Sequence, residues 1–290
     1  MTPEIVHRGN NLLGESPVWC WRSGRLLWTD IRASRIHALT PGTGAVETVI
    51  APDLVAALAL DGDDGLILAM RKGVGFYRPG SGFREAAAVE PDRPANRSNE
   101  GRCDRQGRFW LGTLDDTARE PNGAFYRYDR RGLSRMLAGI TIPNCLAWSP
   151  DGRIMYFADS WTGAVMAYDY DIDDGAPSNP RVLLAAGALP GMPDGATVDE
   201  AGCLWHARYG GGQVARIAPD GRVDAVIALP AGQVSACALG GDDLKTLYVT
   251  SARQRMSEDA LAREPEAGAL FSVVVPTAGV REPLFRPDRG

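Results

Sequence analysis

One pattern recurs six times along the 290 residues, and it constrains the fold more than any other feature. An apolar strand leads into a turn rich in Asp and Gly, and a second strand follows with an aromatic or large aliphatic residue near its start. Taking Trp28, Leu68, Trp110, Tyr156, Trp205 and Tyr248 as anchors, the intervals are 40, 42, 46, 49 and 43 residues. Periods of about 40–50 residues, each holding several short strands, mark a β-propeller. A third strand follows each anchor, as at 124–128, 165–168 and 214–217, and a fourth follows most of them, as at 46–50 and 182–184. The expectation is an all-β chain: one six-bladed β-propeller domain over residues 1–290, with four-stranded antiparallel blades. A β-sandwich also carries frequent turns, but it gives no reason for a period kept six times.

The first copy begins late, which leaves residues 4–8 as an orphan strand. It can complete the sixth blade beside residues 270–274 and remove a free sheet edge. Leu284-Phe285 competes for that place.

Composition agrees with many short strands. The chain has 34 glycines without a G-x-y period and 20 prolines, a density that favours turns over long helices. Its 31 basic and 36 acidic side chains give a formal charge of −5, so nothing electrostatic points to nucleic acid or an anionic membrane as partner. No apolar run approaches the ~18 residues of a membrane span, and residues 1–8 lack the apolar stretch of a secretion signal. Five cysteines, without any C-x-x-C pair, read as buried thiols of a cytoplasmic protein. The sequence sets no oligomeric state.

Propeller sites gather at one mouth of the central channel, where the innermost strands converge. Counting back 11 to 13 residues from each anchor gives one equivalent position per blade: Glu15, Ala56, Asn99, Asn144, Asp194 and Ser235. Strand starts often carry Asn, Asp or Ser simply as turn residues, but five polar residues in register above apolar strands indicate a shared axial site. Their oxygens suit a hard divalent cation such as Ca2+, Mg2+ or Mn2+ better than a thiolate zinc site. The far ends of the second strands bring Arg71, Asp116, Ser160, Trp161, Arg208 and Arg253 near the same rim. An arginine there is a solvated rim charge or a contact for an anionic substrate. His206, in a core strand, reads as a packed structural residue. The signatures G-x-S-x-G, H-E-x-x-H and G-x-x-x-x-G-K-[ST] are absent, so serine acyl transfer and phosphate-loop chemistry have no support.

At these positions the chain resembles the gluconolactonase, regucalcin and luciferin-regenerating enzyme family. The resemblance lies in Gly14-Glu15-Ser16-Pro17-Val18-Trp19, Arg97-Ser98-Asn99-Glu100-Gly101, Pro143-Asn144-Cys145-Leu146-Ala147-Trp148, Met192-Pro193-Asp194-Gly195 and Tyr248-Val249-Thr250-Ser251-Ala252-Arg253. It implies a sugar lactonase with one bound divalent cation, Ca2+ first, with Zn2+, Mn2+, Mg2+ or Fe2+ as alternatives. By that resemblance Glu15, Asn144 and Asp194 match the metal-ligand positions, and Asp194 also matches the proposed general base. Arg97 and Asn99 match positions that hold the substrate. Glu100 stands where the family often has Asp, and Asp116 lies near a further acidic contact of animal members; with Arg208 these complete the candidate substrate set. The implied partner is a small-molecule sugar lactone of gluconolactone, arabinonolactone or xylonolactone type. Another ester or phosphotriester hydrolase, or a non-catalytic calcium-binding propeller, are the competing readings.

Overall fold

In the computed structural model, which describes residues 1–117 and 119–287, strands dominate and the one helix, α1 (Glu258–Arg263), is short. The first strand, β1 (Glu4–His7), belongs to the last blade. Blade 1 holds β2 (Gly14–Cys20), β3 (Arg25–Asp30), β4 (Arg35–Thr40) and β5 (Ala45–Ile50). Blade 2 holds β6 (Val55–Asp61), β7 (Gly65–Met70), β8 (Gly73–Arg78) and β9 (Gly82–Ala88). In blade 3 the strands are β10 (Asn96–Cys103), β11 (Phe109–Asp115), β12 (Gly123–Asp129) and β13 (Gly132–Ile140). Blade 4 follows with β14 (Pro143–Trp148), β15 (Ile154–Asp159), β16 (Val165–Asp171) and β17 (Ala176–Leu184). Blade 5 is β18 (Met192–Val198), β19 (Leu204–Tyr209), β20 (Gln213–Ile217) and β21 (Val223–Ala228). Blade 6 is β22 (Val234–Gly240), β23 (Thr246–Ser251), β24 (Leu270–Val274) and, outermost, β1. All pairings are antiparallel, and the inner strands touch one another in sequence order, with β22 returning to β2. The fold is a six-bladed β-propeller.

The orphan strand therefore closes blade 6, with Glu4 opposite Ser272 and Ile5 opposite Phe271. The competing segment goes elsewhere: Leu284 bridges Leu60, and Phe285 is buried against Phe76 and Tyr128. That segment lies at the ends of the inner strands away from Glu15 and Asn144, so it takes no part in the site.

Apolar side chains meet between blades rather than within them. One cluster joins blades 1 and 2 through Val18, Leu27, Leu58 and Leu68, and another joins blades 3 and 4 through Trp110, Phe125, Trp148 and Phe157. Trp19 and Trp28 meet Tyr248 and Leu270 across the seam between blades 6 and 1. All six anchors are buried, which explains the repeat: each blade must present a bulky residue to its neighbour. Truncating a buried Trp of this kind to Ala typically costs about 3–5 kcal/mol. Between first and second strands the turn glycines Gly24, Gly107, Gly152, Gly202 and Gly241 take positive φ, whereas in blade 2 that role falls to Gly62 and Gly65 instead opens β7. All five cysteines are buried and unpaired. No helix among the described residues is long and apolar enough to cross a membrane.

Candidate active site at the channel mouth

The six equivalent positions share a backbone irregularity, but only Glu15, Asn99, Asn144 and Asp194 line the mouth; Ser235 is buried and donates instead to the Gly14 carbonyl. Every inner strand breaks register against its neighbour there, between Glu15 and Val18, Val55 and Ala57, Ser98 and Glu100, Asn144 and Ala147, Pro193 and Ala196, and Val234 and Ala236. A β-bulge re-aims a side chain that the regular pleat would send between blades. Ser16 (φ 48°) and Cys145 (φ 62°), each directly after a candidate ligand, sit in the left-handed region. Such backbone costs of order 1–3 kcal/mol per residue and persists where the surroundings impose it.

A pocket of about 270 Å3 opens at this mouth. Glu15, Asn99, Asn144 and Asp194 line it together with Arg97 and Asp116. Glu100 and Arg208, the other two candidates, do not. The Glu100 carboxylate accepts from the Gly101 N–H at 2.9 Å, yet its charge still bears on both Glu15 and Asp194. Arg208 is buried and turns back onto the carbonyl oxygens of Leu189, Pro190 and Gly191, so it braces the loop that leads into β18. Of the other rim residues, Ser160 lines the pocket, and Arg71 pairs outside it with Asp53. His206 is fully buried, and burial holds its pKa down at about 3, so it stays neutral within the core.

Counting four residues on from the anchors reaches the pocket in four blades, at Arg32, Leu114, Ser160 and Tyr209, and misses it in two, at Lys72 and Ala252. This signal finds Arg32, which the strand-end count passed over in blade 1. Gln233, Gln254, Arg119 and Arg255 also line it. They lie outside the strands, where no repeat governs their placement.

The electrostatics divide the pocket in two. On one side, burial raises the Glu15 pKa to about 8, with the Glu100 charge adding to the effect. Burial also pushes Asp194 well up, reinforced by Glu15 and Glu100. On the other side, Asp116 takes both terminal nitrogens of Arg32 at 2.6 and 2.7 Å and the Arg97 Nε at 2.8 Å. Burial would raise the Asp116 pKa, but these two guanidiniums outweigh it and hold the carboxyl well below the usual range. Arg97 Nη1 also donates to Asn99 Oδ1 at 2.9 Å, and Asn99 Nδ2 donates to Asn144 Oδ1 at 3.2 Å.

Among the described residues no three His, Cys, Asp or Glu side chains form a ready metal cluster; the candidate set is two carboxylates and one amide oxygen. It fits a divalent cation nonetheless. A buried Asp194 and a half-buried Glu15 each disfavour the other's ionisation, and a hard cation is the partner that removes this cost. The Asn144 amide is also oriented for it. Ser160 Oγ donates to the Pro193 carbonyl at 2.5 Å, so it can only accept from Asn144 Nδ2 at 2.9 Å. The Asn144 oxygen is thereby turned toward Asn99 and the pocket.

Ser160 thus orients the Asn144 amide; if that amide is a ligand, Ser160→Ala should weaken divalent-cation binding by about 10-fold or more, as outer-shell losses generally do. Calorimetric Ca2+ titration reads this directly, and unchanged affinity would remove Ser160 from the account.

A six-bladed propeller with a polar pocket at one mouth is the class that fold and site define. Residues 13–253 match the SMP-30/Gluconolactonase/LRE-like region, and the chain belongs to that family. A protein from Pseudomonas putida named 6-deoxy-6-sulfogluconolactonase is 38% identical over 98% of each chain. An L-arabinolactonase from Azospirillum brasilense is 37% identical, covering 95% of this chain and 92% of its own. Among solved structures, a calcium-binding protein, regucalcin, from Agrobacterium tumefaciens superposes with a TM-score of 0.94 at 32% identity, covering 97% of this chain and 96% of that one.

Proposed function

We propose that this protein is a sugar lactonase, a carboxylic ester hydrolase that opens a sugar lactone to the aldonic acid with the help of one divalent cation. The observation that carries the cation is the pair Glu15 and Asp194, which line one wall of the pocket and whose pKa values are both raised, Glu15 in spite of the nearby Arg97 charge. Relatives named as lactonases support the reaction. The regucalcin neighbour, described as calcium-binding, supports Ca2+.

Glu15, Asn144 and Asp194 would hold the cation, which when bound draws electron density from the lactone carbonyl. The rest of the chemistry belongs to the chain. Asp194 accepts a proton from the water that adds to the carbonyl carbon. As the ring C–O bond breaks, the same carboxyl returns that proton to the departing ring oxygen, and the aldonic acid leaves. Arg97 and Asn99, locked to each other and to Asp116 and Asn144, hold the sugar hydroxyls and so contribute through orientation.

The test is proton release over a panel of aldonolactones. Turnover should vanish on chelation and return on adding Ca2+ or Mn2+. A protein that binds Ca2+ yet opens no lactone would instead be a calcium-binding propeller without this activity.

A further inference from the structure

Blade 2 gives the pocket no residue among those described, whereas blades 1, 3, 4, 5 and 6 or their connections all do. Its equivalent position is Ala56, and its Arg71 turns to Asp53. Blade 2 stands between blades 1 and 3 in the ring, and an ion pair links its two neighbours past it. Arg32, in the connection from β3 to β4 of blade 1, reaches Asp116, which follows β11 of blade 3.

The bonding of this bridge is specific atom by atom. Arg32 Nη1 and Nη2 donate to Asp116 Oδ2 and Oδ1 at 2.7 and 2.6 Å, a two-pronged pairing that uses both carboxylate oxygens. Arg32 Nε donates to Gln254 Oε1 at 3.4 Å, and Gln254 Nε2 donates in turn to the Tyr209 hydroxyl at 3.3 Å. All three nitrogens of the Arg32 guanidinium are thus engaged by the protein. Arg97 has a single place on the same carboxylate, where its Nε donates to Oδ1 at 2.8 Å. Its Nη1 donates to the Ser98 carbonyl and to Asn99 Oδ1, at 2.8 and 2.9 Å. Among the described residues only Nη2 of this guanidinium has no partner, in a side chain that is buried and lines the pocket.

Without Arg32 this arrangement has a competitor. A carboxylate and a guanidinium meet most strongly through two parallel hydrogen bonds. An Asp116 released from Arg32 has its second oxygen free, and a turn of its side chain lets it take Arg97 Nη2 together with Nε. The nitrogen that faces a sugar hydroxyl is then captured by the protein itself.

We infer that Arg32 is a positioning residue for the lactone: by occupying both oxygens of Asp116 it limits that carboxylate to one contact with Arg97 and keeps Arg97 Nη2 available to a substrate hydroxyl. This rests on the lactonase reading above, and it gives Arg32 a role that needs no contact with the substrate.

The experiment measures kcat and KM in the Ca2+-loaded protein, on the aldonolactone it turns over fastest, for Arg32→Gln, Arg97→Gln, the double variant and Arg32→Lys. Loss of one hydrogen bond to a charged donor corresponds to about 10- to 100-fold. Arg32→Gln should lower kcat/KM by that factor, mostly through KM, since Arg97 holds hydroxyls and not the reacting carbonyl. Arg97→Gln should lose at least as much. The double variant should be no worse than Arg97→Gln alone, because Arg32 acts only through Arg97. Arg32→Lys keeps the charge without the fork and should recover little. Arg32 is part-exposed, so its replacement leaves the core intact, and a thermal melt of each variant checks this. Losses that add in the double variant, unimpaired Arg32→Gln or Arg97→Gln, or full recovery in Arg32→Lys overturn the inference while leaving the lactonase reading intact. Absence of turnover by the unmodified protein on every aldonolactone, with Ca2+ bound, overturns that reading and this role with it.

Discussion

Asp194→Asn should lower kcat/KM for lactone opening by about 1000-fold or more, a loss of some 4 kcal/mol of transition-state stabilisation. The substitution keeps the shape and one oxygen of the side chain but removes both its charge and its capacity to take a proton. Glu15→Gln removes only a charge from the cation's surroundings. Its activity should fall at limiting Ca2+ and recover substantially at saturating Ca2+, whereas Asp194→Asn should stay inactive at any concentration. That contrast separates the ligand from the base. Misfolding cannot account for either loss, because both carboxylates are costly to bury in ionised form without a cation. Each chelated variant should therefore melt no lower than the chelated parent at pH 8. Full activity in Asp194→Asn would place the base elsewhere.

Ca2+ should stabilise the fold strongly at pH 8 and little at pH 5. In the cation-free protein the Glu15 pKa rises from the ordinary 4.5 to about 8, and Asp194 moves the same way. A carboxyl with a raised folded-state pKa contributes stability that is complete below its unfolded pKa and is lost as pH rises through its folded pKa. The chelated protein thus weakens between about pH 4.5 and 8. Cation binding needs both groups ionised, so it strengthens across the same window and releases protons below pH 8. With about 1.4 kcal/mol per pKa unit, the difference amounts to several kcal/mol. For a chain of this size that corresponds to a Tm gain on the order of 10 °C at pH 8. Calorimetric melts with chelator or Ca2+ at pH 5, 6.5 and 8 measure it. A gain independent of pH would mean that the cation binds elsewhere than at these carboxylates.

Much of this site was legible in the sequence because blades repeat. The anchors are set by inter-blade packing, a strong and periodic demand, and counting back from Trp28, Tyr156 and Trp205 reached Glu15, Asn144 and Asp194. What made those positions equivalent was not legible. A bulge is a property of pairing between strands, and only the register breaks show that all six inner strands are irregular at this level. Arg208 and Glu100 show the opposite limit. Both lie within a residue or two of a pocket position, but side-chain direction decides their roles, and Arg208 is drawn away by three backbone carbonyls that no spacing rule reveals. Arg119 and Arg255 escape for a third reason: they occupy the two connections where the repeat is broken.

The strand that closes blade 6 has a consequence for how the pocket comes into being. Glu15 belongs to blade 1 and Asp194 to blade 5, so the two stand far apart along the chain and meet only across the seam that β1 and β24 complete. The mutual repulsion of these carboxylates is then absent from any chain in which blade 6 has not yet joined blades 5 and 1. A cation seated between them would work as a clasp, fastening the ring at the moment it becomes a ring.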